Sequence, residues 1–142
     1  MAGTIVQTLE PIYDEGKKRD KFELTMAWTT STGGGDVSGI STDDGSFYTR
    51  TITEILKGKE IVGGKVIPGD ETPTDAFDVV VNDENSVDLF GGAFGDCSSG
   101  STTTSYPYDG TVYGSKIMTG ALTPAVSNAG NSKTGSVVLF FE

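Results

Sequence analysis

The chain has 142 residues, 20 of them acidic and 10 basic, for a formal charge of −10, and it contains no histidine. That balance argues against nucleic-acid binding, which relies on Lys and Arg displacing counterions from phosphates. The missing imidazole also removes the usual general base near neutral pH and the commonest transition-metal ligand. Hydrophobic residues make up 35% of the chain beside 20 glycines, a composition suited to short strands, many turns and a thin core completed by neighbours. A single domain spanning 1–142 is expected.

Met1–Glu10 lacks the basic, long-apolar and small-residue zones of a signal peptide. No apolar run approaches the roughly 18 residues that span a bilayer. The expectation is therefore a protein made and assembled in a cytoplasm, without a membrane partner. Thr4–Leu9 and Ile12–Tyr13 read as a short strand or extended arm, which Pro11 would confine to an edge. Gly16–Lys21 holds Lys17, Lys18, Arg19 and Lys21 and reads as a solvated turn. Phe22, Leu24, Met26 and Trp28 then alternate with Glu23, Thr25 and Ala27, the period of a half-buried strand.

Thr29–Gly45 contains Gly33-Gly34-Gly35 and Asp43-Asp44-Gly45 and reads as a long loop with a short strand near Val37–Ile40. Ser46–Leu56 favours strand through its Thr, Ile, Phe and Tyr residues, although Glu54–Lys57 suits one helical turn equally well. Glu60–Ile67 reads as a hairpin folded at Gly63-Gly64. Ala76–Val81 is a strand with Phe77, Val79 and Val81 on one face, and Val87–Phe90 returns from the polar turn Asn82–Ser86. Gly91–Thr111 is a Gly/Ser/Thr-rich loop, long enough to need a partner or disorder to account for it. A last hairpin is expected, with Ile117–Ser127 running in and Ser136–Phe141 running out. Val137–Phe141 is apolar on both faces, so its own fold or another chain must cover it on both sides. Turn signals at this spacing predict an all-β chain, an antiparallel β-sandwich, jelly-roll-like fold or small barrel.

Chemistry is sparse. Cys97 is the only cysteine, which excludes an internal disulfide, and its neighbours supply no positive charge to activate it. Asn82-Asp83-Glu84-Asn85 with Asp88 gathers oxygen ligands of the kind calcium prefers, but without the EF-hand spacing. The same residues are ordinary turn formers, as are Asp43-Asp44-Gly45. A serine nucleophile finds no His and no Ser-x-x-Lys arrangement. Gly33-Gly34-Gly35 precedes no Gly-Lys-Ser/Thr, and no pair of carboxylates is marked out for glycoside hydrolysis. No catalytic residue, metal site or cofactor is expected. The aromatic residues Phe94, Tyr106, Tyr108 and Tyr113, set among small residues, suit interface anchors. Folding back onto the sheet accounts for them equally well. Phe140 and Phe141 join them as possible interface residues, from the two-sided strand.

Three segments resemble a family of small virion proteins of tailed bacteriophages. They are Lys21–Trp28 (KFELTMAW), Thr72–Gly92 (TPTDAFDVVVNDENSVDLFGG) and Gly120–Glu142 (GALTPAVSNAGNSKTGSVVLFFE), together a little over a third of the chain. Pro73-Thr74-Asp75 ahead of a strand, Gly91-Gly92 after its return, and Ser127–Asn131 before a final apolar strand carry the likeness. The chain departs from that pattern in Thr29–Ile52 and Asp96–Tyr113, which are longer and richer in Gly, Ser and Thr. The resemblance implies a β-rich, non-enzymatic structural subunit in the virion, most simply a capsid decoration or cement protein. It would bind the major capsid protein or other virion subunits and form homo-oligomers. A head–tail connector or tail component is the nearest alternative. From a different class, a carbohydrate-binding module would use Trp28 or the loop tyrosines, although the alternation places Trp28 on the buried face.

Overall fold

A computed structural model describes residues 3–14, 17–33, 36–38 and 40–142. The strands are β1 (Thr4–Asp14), β2 (Lys17–Thr29), β3 (Val37–Ser38), β4 (Ser46–Phe47), β5 (Arg50–Thr51), β6 (Glu60–Pro68), β7 (Asp78–Asn82), β8 (Thr103–Ser105), β9 (Lys116–Ile117), β10 (Thr123–Ser127) and β11 (Thr134–Phe141). One short helix, α1 (Ile52–Leu56), interrupts them. The chain is all-β in class. A six-stranded sheet runs in the order β1-β2-β11-β6-β8, with β9 also on β6, and a three-stranded sheet runs β3-β10-β7. β4 and β5 form a separate ribbon. Every pairing is antiparallel.

The alternation read in β2 decides which way the large sheet faces. Leu24, Met26 and Trp28 are buried, and Phe22 packs at the rim of the core. Their partners on β11 are Leu139, Val137 and Gly135, and on β1 they are Leu9, Gln7 and Ile5. Gly135 is required here, because a β-carbon at that position would collide with the Trp28 indole. The smaller sheet adds Val79, Val81 and Val126, and Phe77 meets Trp28 with ring centroids 5.8 Å apart. One hydrophobic cluster contains side chains from both sheets and from α1. The helix is fixed by a capping box: Thr51 Oγ1 accepts from the Glu54 N–H at 3.1 Å, while the Glu54 carboxylate accepts from the Thr51 N–H at 3.4 Å.

Several sequence expectations give way to tertiary pairing. The basic stretch expected as a turn instead belongs to β2 from Lys17 onward, paired with β1 through Ile12↔Lys21 and Asp14↔Lys17; Gly16 lies outside the described residues. Pro11 does sit on an edge strand, since among the described residues β1 pairs only with β2. Of the loop over 29–45, Val37–Ser38 forms β3, and Gly34 and Gly35 lie outside the described residues. Gly63-Gly64 is no turn. β6 runs straight through it, and neither glycine takes the left-handed backbone that a two-residue turn would require. The absent side chain at Gly64 admits the Phe90 ring, whose Cζ would lie 2.7 Å from an added β-carbon.

The expected last hairpin is also absent: β10 pairs with β7 and β3, while β11 lies between β2 and β6 in the other sheet. The chain crosses between sheets over 128–133. Val87–Phe90 returns beside β7 through a single bridge, Asn82↔Asp88, and not as a full strand. No helix among the described residues is long and apolar enough to cross a membrane.

Candidate subunit interface

The two-sided strand β11 is covered differently on its two faces. Val137, Leu139 and Phe141 point into the core. On the other side Val138 is only 3% exposed, because it lies between Thr25 of β2 and Lys65 of β6. Phe140 is half-buried, with the Lys65 ammonium 5.6 Å above its ring centroid. The fold itself therefore supplies much of the cover that the sequence demanded.

The register lays out the rest of this outer face in rungs. One holds Val6, Ala27, Ser136 and Ile67; the next Thr8, Thr25, Val138, Lys65 and Thr104. A third holds Glu10, Glu23, Phe140 and Gly63. These rungs carry charge at Glu10, Glu23 and Lys65, and the next one, where Ile12 lies opposite Lys21, adds the ion pair between Lys21 and Glu142 at 2.8 Å.

Beside Gly63 the face continues into an exposed apolar segment. Tyr106 Cδ1 and Phe140 Cδ2 lie 3.9 and 4.0 Å from where a Gly63 β-carbon would be, so the missing side chain joins the two rings across β6. From there to Ile117, Tyr106, Val112, Tyr113 and Ile117 are each between 52% and 59% exposed. Hydrogen bonds brace the segment from below. The Tyr108 N–H donates to Leu89 O at 2.8 Å and the Gly114 N–H to Pro107 O at 2.8 Å. The Asp109 carboxylate accepts from the Val112 and Thr111 N–H groups at 2.9 and 2.8 Å, and these bonds hold its pKa below the ordinary aspartate value. The rings of Tyr108 and Tyr113 lie 4.7 Å apart, and the next residue after Ile117, Met118, anchors in the core.

The six expected interface residues thus separate. Tyr106 and Tyr113 are exposed, Tyr108 and Phe140 are half-buried, and all four belong to this one surface. Phe94 and Phe141 are about 1% exposed and lie in the core, so they are corrected from contact residues to packing residues. Phe94 stacks on Phe90 at 4.6 Å and its carbonyl accepts from the Val79 N–H, which ties the loop to β7. Val112 and Ile117 were missed as surface residues. Ile117 sits in what reads as a strand, and nothing in the sequence states which of its neighbours turns inward.

The other candidate groups take structural roles. Asp83 accepts from the Asn85 and Val87 N–H groups at 2.9 and 3.1 Å, and Asp88 from those of Phe90 and Gly92 at 3.1 and 2.6 Å. Asp44 accepts from the Ser41 N–H at 3.0 Å. These are turn-closing bonds. Among the described residues no three or more Cys, Asp or Glu side chains gather as a metal site. Cys97 is buried, its Sγ 3.1 Å from Phe94 O, and burial pushes its thiol pKa up. No family model matches the chain, nor does any curated protein or solved structure, so the assignment of this surface rests on its own residues and geometry.

Proposed function

We propose that the chain is a non-enzymatic structural subunit of a tailed-bacteriophage virion, a capsid decoration or cement protein that docks on the major capsid shell. Its contact is the outer face of the large sheet together with the Tyr106–Ile117 segment. One observation carries this reading: four large apolar side chains stand exposed on a single backbone-braced segment, continuous through Gly63 and Phe140 with the outer face of the large sheet. Aromatic anchors already held in place lose little side-chain freedom on binding, which is how a few residues come to dominate an interface. The acidic remainder of the surface keeps free subunits apart until a shell offers a matching apolar site. The sequence resemblance supplies the virion setting.

Mass spectrometry of purified particles, with electron microscopy of their surface, tests the proposal. The chain should be present at hundreds of copies and seated on the shell by this face. About a dozen copies would reassign it to the neck or tail, and absence from particles would end the reading. The Tyr108–Tyr113 ring pair favours one alternative, a glycan platform. A glycan array probed with and without a chelator separates that alternative from protein docking. Trp28, 2% exposed, takes no part in it.

A further inference from the structure

The two edges of the large sheet are built differently. On one side it ends in β8 and β9, of three and two residues, and strands that short give a neighbour little to pair with. On the other side it ends in β1, eleven residues long.

The hydrogen bonds of β11 fix which backbone groups of β1 face outward. Glu142 and Glu60 exchange N–H···O bonds of 2.8 and 2.9 Å, and the Gly69 N–H donates to Thr134 O at 2.9 Å. The even-numbered residues from Thr134 to Glu142 therefore direct their backbone groups at β6. Bonded and non-bonded pairs alternate along an antiparallel ladder, so Gly135, Val137, Leu139 and Phe141 bond to Trp28, Met26, Leu24 and Phe22. The intervening residues of β2 are left to bond to Thr4, Val6, Thr8, Glu10 and Ile12 of β1. The N–H and C=O groups of Ile5, Gln7 and Leu9 consequently point away from the sheet, and nothing pairs with them among the described residues. Pro11 shares their phase, where its missing N–H leaves the β1–β2 ladder intact. Ile5 and Leu9 keep 5% exposure, whereas Leu24, one strand further in, has none.

We propose that β1 of a second copy pairs antiparallel with this edge about a two-fold axis at Gln7. Gln7 then lies opposite Gln7, Ile5 opposite Leu9, Val6 opposite Thr8 and Thr4 opposite Glu10. Each outward-facing residue from Ile5 to Leu9 meets another that offers both a donor and an acceptor, and Pro11 falls beyond them. Charge favours a copy of the same chain as occupant. The acidic surface holds copies apart elsewhere, but Thr4–Leu9 has no charged side chain in a chain of net charge −10, and this register sets Glu10 against Thr4 and not against another Glu10. Length favours it too. The outer side of β7 is taken up by bonds from Val79 to Phe94 and from Leu89 to Val81, and β3 has two residues, so among the described residues the long open edge that matches β1 is another β1. Directly opposed residues share a face, so both copies turn their outer sheet faces the same way and the isologous dimer presents two docking surfaces side by side. The pairing itself does not rest on the docking reading.

Measuring the intact protein without particles keeps the two apart. Sedimentation should show monomers giving way to dimers as concentration rises. In step, exchange of the Ile5, Gln7 and Leu9 amide protons should slow at least about tenfold, while those of Val6 and Thr8, already bonded to β2, stay slow throughout. Val6→Lys/Thr8→Lys places like charges opposite each other at two exposed positions; it should stay folded by circular dichroism and remain monomeric. Val6→Glu/Thr8→Glu should do the same, and an equimolar mixture of the two should dimerise, because every Lys then faces a Glu. If either double variant fails to fold, amide exchange in the wild type decides alone. A wild-type chain that is monomeric at every concentration overturns the proposal, as do dimers in which the three outward amides still exchange fast. A mixture that stays monomeric overturns it as well. Protection of those amides only when capsid shells are added would make the shell protein, and not a second copy, the occupant of the edge.

Discussion

Leu89–Cys97 and Tyr106–Ile117 are both rich in glycine and aromatic residues and both lie outside the long strands, yet one is core and the other surface. In the first, Leu89, Phe90, Phe94 and Cys97 are buried, and backbone bonds to Phe77, Val79 and Val81 fasten the segment to β7. In the second, Tyr106, Val112 and Tyr113 face solvent above a braced backbone. The aromatic type tracks the difference. A phenylalanine ring brings no polar atom and can be enclosed completely, whereas a tyrosine hydroxyl needs water or a partner. Order and burial are therefore separate properties: a loop can be held rigidly by its backbone and still present its side chains outward.

Substitutions break or sharpen that contrast, and the largest effect falls in the buried segment. Phe94→Ala is expected to cost about 3–5 kcal/mol, measured by denaturant unfolding, because it empties a site enclosed by Phe90 and β7. A loss below 1 kcal/mol would place Phe94 with the surface aromatics. The neighbouring glycines of β6 offer a finer comparison. Gly64→Ala forces a carbon within 2.7 Å of Phe90 Cζ and 3.1 Å of Leu139 Cδ2 and should cost about 1–3 kcal/mol. Gly63→Ala meets nothing nearer than 3.7 Å and should be tolerated; equal costs for the two would mean that the inner and outer faces of β6 have been confused.

Acid titration examines the fastening of the buried segment. The Asp96 N–H and then the Asn128 side-chain amide hold the Asp78 carboxyl below the ordinary aspartate range. A depressed folded-state pKa stabilises fully above the unfolded value of about 3.9 and is lost as pH falls through the lower folded value. Wild type should therefore exceed Asp78→Asn in stability at neutral pH, with the gap closing only in strong acid. A gap that instead widened as the pH fell would contradict the assignment. The smallest expected effect on folding is in the exposed segment. Tyr113→Ser should leave stability within about 0.5 kcal/mol while weakening attachment to particles, as read by co-sedimentation. A clear loss of stability would show that this ring belongs to the fold and not to a contact.

What the sequence determined by itself was whatever depends on local pattern. Alternation in Phe22–Trp28 and Phe77–Val81 announced buried strand faces, and the acid balance and the polar turns announced an acidic, turn-rich all-β chain. Tertiary structure alone decided what depends on partners distant in the chain. Gly63-Gly64 is equally at home in a turn or a strand, and only Phe90 and β11 make it a strand. β10 and β11 read as one hairpin because they are adjacent, yet they join different sheets, since pairing with β7 and with β2 buries their apolar faces on the common core. Phe94 and Tyr106 stand in similar local sequence, and their opposite fates were set by which of them β7 and the core had room to enclose.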